Sequence, residues 1–234
     1  MRMPLTDRPW LMAVLLGMLA LSPAQAGMTP EEVKAFAGYK AKAEKGDPIA
    51  QYDLGNSYYG GNGVVQDYVQ SVKWYRKADN QGNDSAQYNL GNRYRDGKGV
   101  VQDYVQAVSW YRKAIAQGHL KAHSDLGLCY ADGNGVKKDV VEAVSWFREA
   151  ADQGDTLALH NLGGCYHSGR GVAKDEVEAY ALWYLASLTD EVTRKALAVI
   201  EKTMPNDVIQ LGKTRAKQLQ KEIEAKKAAK KAGK

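Results

Sequence analysis

The side chains best suited to chemistry in this chain are two cysteines, four histidines and a scatter of carboxylates. Cys129 and Cys165 invite a disulfide if the chain meets an oxidising compartment. They occupy one site that recurs every 36 residues, however, and its two earlier occurrences hold Ser57 and Arg93. Side chains repeated by translation point in parallel. Neighbouring helix axes lie about 8–10 Å apart, whereas bridged Cα atoms are usually within ~6.8 Å. Two free thiols and no disulfide are expected. His119 and His123 have the i, i+4 spacing that ligates a metal when both sit on one helix, but His119 follows Gly118 and falls ahead of the helix. His160 and His167 have no carboxylate or thiolate arrangement to complete a site, so no metal is expected. The turn Gly133-Asn134-Gly135 lacks the Lys-Ser/Thr of a phosphate loop. No nucleophile elbow, zincin helix or paired acid–base constellation appears, and neither a cofactor nor an enzyme activity is expected. The Asp and Glu residues fall mostly where helices begin, where the helix dipole accounts for them.

The elements that carry these residues repeat. Gly46, Gly82, Gly118 and Gly154 are 36 residues apart, as are Ala50, Ala86, Ala122 and Ala158. The pairs Leu54-Gly55, Leu90-Gly91, Leu126-Gly127 and Leu162-Gly163 follow, then Tyr58, Tyr94, Tyr130 and Tyr166. Next come four G-x-G-V turns and Asp67, Asp103, Asp139 and Asp175. A period of this size indicates a solenoid or array. Within one unit, Ala86, Leu90 and Tyr94 line one face of a helix. Gly91 weakens that helix by roughly 1 kcal/mol against Ala, so its recurrence suggests a neighbour too close for a side chain. Asp103 reads as the N-cap of a second helix with Gln106 three residues on. Ala107, Trp110, Tyr111 and Ala114 form that helix's apolar stripe. Helices of about 12 residues are marginal alone, so stacking must supply the burial.

A-x-x-x-L-G-x-x-Y, the G-x-G-V turn and Ala-x-x-Trp-Tyr-x-x-Ala resemble the Sel1-like repeat family, a relative of the tetratricopeptide repeats. The resemblance covers Gly46 to about Thr189. It implies an all-α fold, a right-handed superhelical solenoid of four 36-residue helix pairs (46–81, 82–117, 118–153 and 154–189) that mediates protein–protein contacts. The fourth unit departs from the pattern, with Leu182 where Trp74, Trp110 and Trp146 stand and Trp183 one place later. By the same resemblance the first helix of each unit lines a concave groove. The expected partner-binding positions are Asp53, Asn56, Asn89, Asn92, Arg95, Asp125 and Asn161. Asn89, Asn92 and Arg95 would present neighbouring donors on one face to a peptide backbone or carboxylate.

Outside the repeats, Met1–Ala26 has Arg2 and Arg8, an apolar run Trp10–Leu21 and the small-x-small motif Ala24-Gln25-Ala26. That is the pattern of a cleaved secretory signal, and it implies a periplasmic or secreted protein. Thr29, Pro30 and Glu32 start an N-terminal capping helix within 27–45. Residues 190–224 should form closing helices interrupted at Met204-Pro205-Asn206. The first would bury Val192, Ala196, Leu197 and Ile200, and the last Val208, Ile209, Leu211, Leu219 and Ile223. Residues 225–234 should be a fraying basic tail. The net charge of +5 resides in the signal segment and in Gln220–Lys234, and Gly27–Leu219 is neutral. The body thus lacks the basic footprint of nucleic-acid binding, while the Lys-rich tail suits weak contact with an anionic envelope surface. Two functions are consistent with this: a groove-binding adaptor that regulates an envelope process, or a cell-wall- or β-lactam-related enzyme or inhibitor. The second would need a polar triad or metal cluster in the groove.

Overall fold

The computed structural model describes residues 28–232, so the expected signal segment lies outside the described residues. Among the described residues there are eleven helices and no strand. The chain divides into two units after Ala78. The first holds α1 (Pro30–Glu44), α2 (Pro48–Gly60) and α3 (Tyr68–Asp79), whose last residue falls past the boundary. The start of α1 is a closed capping box: the Thr29 hydroxyl accepts from the Glu32 N–H, and the Glu32 carboxylate accepts from the Thr29 N–H at 2.7 Å. Ala43, Ala50 and Leu54 form this unit's core, with Phe36, Tyr58 and Trp74 packed on it.

The second unit contains α4 (Asp84–Asp96), α5 (Tyr104–Ala116), α6 (Lys121–Asp132), α7 (Val140–Ala151), α8 (Thr156–Ser168), α9 (Glu176–Ser187), α10 (Glu191–Ile200) and α11 (Asn206–Ala232). From α4 to α10 each helix packs on the next, and α11 returns to α9. Stacking of neighbours in sequence is the organisation of an α-solenoid. Asn83 and Asp155 cap α4 and α8, while Asp103, Asp139 and Asp175 cap α5, α7 and α9. Only at α6 does the pattern lapse, where no side chain caps the helix and His119, at the cap's place in the repeat, stacks on Tyr88 instead.

The recurrent Leu-Gly pair does what its spacing suggests. A Cβ on Gly91 would stand 2.6 Å from the Tyr111 ring, one on Gly127 2.6 Å from Phe147, and one on Gly163 2.7 Å from Trp183. The missing side chain lets an aromatic ring of the second helix rest on the first helix's backbone. Tyr111 and Phe147 are fully buried, whereas Trp110 and Trp146 are only half-buried. The anchor is therefore the residue after the tryptophan, and Trp183 stands in register with Tyr111 and Phe147. A second close approach joins successive repeats. Gly135, at φ 73°, would place a Cβ 2.2 Å from the Tyr104 carbonyl, so the turn ending α6 sits on the first turn of α5.

Three expectations at the C-terminal end need correction. In α10 the inward stripe is Thr193, Leu197 and Ile200, and Val192 (74% exposed) and Ala196 face out. The Asp190 carboxylate, which takes both the N–H and the hydroxyl of Thr193, fixes that rotation. In α11, Ile209, Gly212 and Ala216 are buried and Leu211 is 57% exposed, because Gly212 admits the Tyr180 ring where a larger residue would clash. Nor does α11 fray after Glu224. It continues to Ala232, built of Ala and Lys with high helix propensity and tied down by Lys226 to Asp152 (2.6 Å) and Lys230 to Gln153 (2.5 Å).

Candidate functional site

The first helices α2, α4, α6 and α8 carry all seven residues expected at the groove, six of them in two registers and Arg95 one turn on. Asn56 and Asn92 share one register, and both serve the core. The Tyr75 hydroxyl donates to Asn56 Oδ1 at 2.6 Å, and the Tyr111 hydroxyl donates to Asn92 Oδ1 at 2.8 Å. Asn92 is buried. The sequence held a signal for this that the groove reading passed over. The same register holds Leu128 and Gly164 in the last two repeats, where the anchors Phe147 and Trp183 have no phenol to satisfy. An amide stands wherever the anchor carries a hydroxyl, since an unpaired buried hydroxyl costs about 1–3 kcal/mol.

The other register is Asp53, Asn89, Asp125 and Asn161. Asp125 is its centre. Its side chain is 8% exposed and accepts from Arg95 Nη1 at 2.7 Å and from the Tyr88 hydroxyl at 2.8 Å. Burial pushes the Asp125 carboxyl above its usual range, against the opposing pull of Tyr88 and Arg95. Burial, with the Asp125 charge beside it, likewise pushes the Tyr88 phenol up to about 12. Arg95 also donates to Asp96 at 2.9 Å. Arg95 and Asn92 are therefore committed within the fold, and the expected triad of outward donors on α4 does not form. The amide nitrogen of Asn161 is buried with no hydrogen-bond partner. Asp53 lines a hollow of about 300 Å³ in the first unit with Phe36, Tyr39, Asn56 and Asn62.

In the second unit the Asp125 network forms one wall of a pocket of about 350 Å³, with Tyr88, Lys121, Ser124, Thr156 and Leu157 around it. The Ser124 hydroxyl donates to Asp155, the cap of α8, at 2.7 Å. A neighbouring hollow of about 450 Å³ shares Thr156 and Leu157 and adds His160, Asp190, Val192 and Thr193. The two adjoin at Thr156 and Leu157 and are together the trough over the N-terminal ends of α6, α8 and α10, with hydrogen-bonded hydroxyls and carboxylates and with exposed apolar carbon at Leu157 and Val192. Such a surface offers hydrogen bonds to an extended backbone and apolar sites for its side chains.

Cys129 and Cys165 are free and buried. Burial, with the Asp125 charge adding to it, pushes the Cys129 thiol up to about 11, and burial raises Cys165 as well, which disfavours the reactive thiolate. Among the described residues no group of three or more His, Cys, Asp or Glu could hold a metal ion.

The Sel1 repeat family model matches residues 48–83, 84–119, 120–155 and 156–188, each starting two residues later than the boundaries read from the glycines. No curated protein matches the chain. A solved Sel1 repeat protein from Oxalobacter formigenes is similar at 31% identity and a TM-score of 0.70, over 77% of this chain and 76% of that one. The protective antigen c5321 of uropathogenic Escherichia coli strains, which displays an SLR fold, is similar at 42% identity and a TM-score of 0.64 over 68% of this chain. The matched part spans 34% of that antigen's length, about a third. With four consecutive matches in register with its helix pairs, the chain belongs to the Sel1 repeat family.

Proposed function

We propose that this protein is a periplasmic or secreted adaptor that holds an extended peptide of a partner protein in the trough over α6, α8 and α10. Sel1 repeat proteins are generally scaffolds for protein–protein interaction rather than catalysts. The observation that carries the reading is the Asp125 network. Arg95 and Tyr88 lock a buried carboxylate at the edge of an open pocket, so the surface meets its ligand pre-organised and loses little entropy on binding. The exported location rests on the Met1–Ala26 pattern, and a regulatory role in the envelope follows from a scaffold placed there. An intact mass starting at Gly27 for the exported protein supports this, and retention of Met1 in a cytosolic product refutes it.

Leu157 is the residue to change. It is 44% exposed on the trough, so Leu157→Glu should leave the thermal midpoint nearly unchanged. Peptides selected by display on the purified protein should lose about tenfold in affinity, or roughly 1.4 kcal/mol. Selected peptides that bind the variant as well as the parent would move recognition off this face.

A further inference from the structure

A second groove in the same unit lies apart from the trough. It has a volume of about 760 Å³ between the end of α11 and the junctions that precede α6 and α8. The wall from α11 carries Lys226, Lys227, Lys230 and Lys231. Ile115 and Leu120, both half-buried, give an apolar floor, and Glu149 and Asp152 face them from α7 and its end. Four lysines against two carboxylates leave the lining positive. Two of the lysines are used to fasten the helix, Lys226 on Asp152 and Lys230 on Gln153. Lys227 and Lys231 form no ion pair among the described residues and lie one turn apart on one face of α11.

What holds α11 makes those two ammonium groups more than a frayed tail. Arg215 binds Glu178 at 2.8 Å and Glu222 at 2.9 Å, and Leu219 and Ile223 pack on the core of α7, α8 and α9. The lysines are thereby presented on an ordered helix. Both are exposed and line the same groove as Ile115 and Leu120.

We propose that this groove binds an acidic, amphipathic peptide segment of a partner protein, with its apolar side chains on Ile115 and Leu120 and its carboxylates on Lys227 and Lys231. Charge complementarity sets the sign of the ligand, and the apolar floor distinguishes it from a bare polyanion. The site is independent of the trough, so Leu157→Glu should not affect it.

The test is fluorescence anisotropy on the purified full chain with a labelled Glu/Leu peptide, a Glu/Ser peptide of equal charge, and a Lys/Leu peptide. The Glu/Leu peptide should bind best, and Lys227→Glu/Lys231→Glu should weaken it by about tenfold or more. Leu120→Ser, which leaves α11 untouched, should weaken the Glu/Leu peptide by about threefold or more and the Glu/Ser peptide hardly at all. Equal binding of the Glu/Ser peptide, or indifference to both variants, overturns the proposal. Displacement of the peptide by phosphatidylglycerol vesicles that bind more tightly also overturns it, in favour of a lipid surface.

Discussion

The second and fourth repeats share a backbone frame and fill it differently. In the second, α5 is amphipathic, with Ala107, Val108, Tyr111 and Ala114 buried and a polar outer face. Its anchor is a tyrosine whose hydroxyl needs Asn92. In the fourth, α9 buries residues nearly all round, from Ala179 through Ser187, because α8, α10 and α11 cover it. Its anchor is Trp183, which donates its indole N–H to the His160 carbonyl at 3.0 Å and leaves a glycine where Asn92 would be. Each ring rests on the equivalent glycine of its own repeat, Gly91 or Gly163. The frame therefore fixes where an aromatic goes, while the polar partner is chosen to suit the ring.

Changes at the anchor should separate these two requirements. Tyr111→Ala carries the largest effect, about 3–5 kcal/mol, since it empties a fully buried ring site against a backbone that cannot collapse onto it. Trp110→Ala, at a half-buried position, should cost less, about 1–2 kcal/mol, which reverses the order that tryptophan's greater size suggests. Tyr111→Phe should cost about 1–3 kcal/mol by leaving Asn92 Oδ1 without its donor in the core. Adding Asn92→Leu, which copies the Leu128 and Phe147 pairing of the third repeat, should recover much of that loss. Chemical denaturation of the parent, Tyr111→Phe, Asn92→Leu and the double variant measures the coupling directly. Additive losses in the double variant would mean that Asn92 serves something other than the phenol.

The helix pairs, their caps and the glycine contact were all legible, because each depends on residues close in sequence and recurs from unit to unit, the missing cap of α6 apart. The roles of Asn56 and Asn92 were also written in the chain, but only as a correlation. They had to be read against the residue 19 positions on rather than against an inferred groove. The fixing of Arg95 by Asp125 joins residues 30 positions apart, and nothing local marks it. At the C-terminal end, apolar spacing misled over Leu211 and Val192, because Gly212 and Thr193 take the inward places through a ring contact and a capping hydrogen bond. The length of α11 was obscured by composition, since a run of Ala and Lys reads equally as tail or as helix until something anchors it. Lys226 on Asp152 is such an anchor.

That anchoring bears on how the second unit opens. A stack in which each turn touches only the helix before it unravels from its ends, one repeat at a time. The last helix breaks that rule, since Lys230 reaches back to Gln153 across 77 positions of the chain. With α11 laid over α7, α8 and α9, fraying from the C-terminus must lift the strap before it can free a repeat. The amide hydrogens of α8 and α9 should then exchange with solvent together, as one cooperative block, while α4, which lies beyond its reach, exchanges on its own schedule.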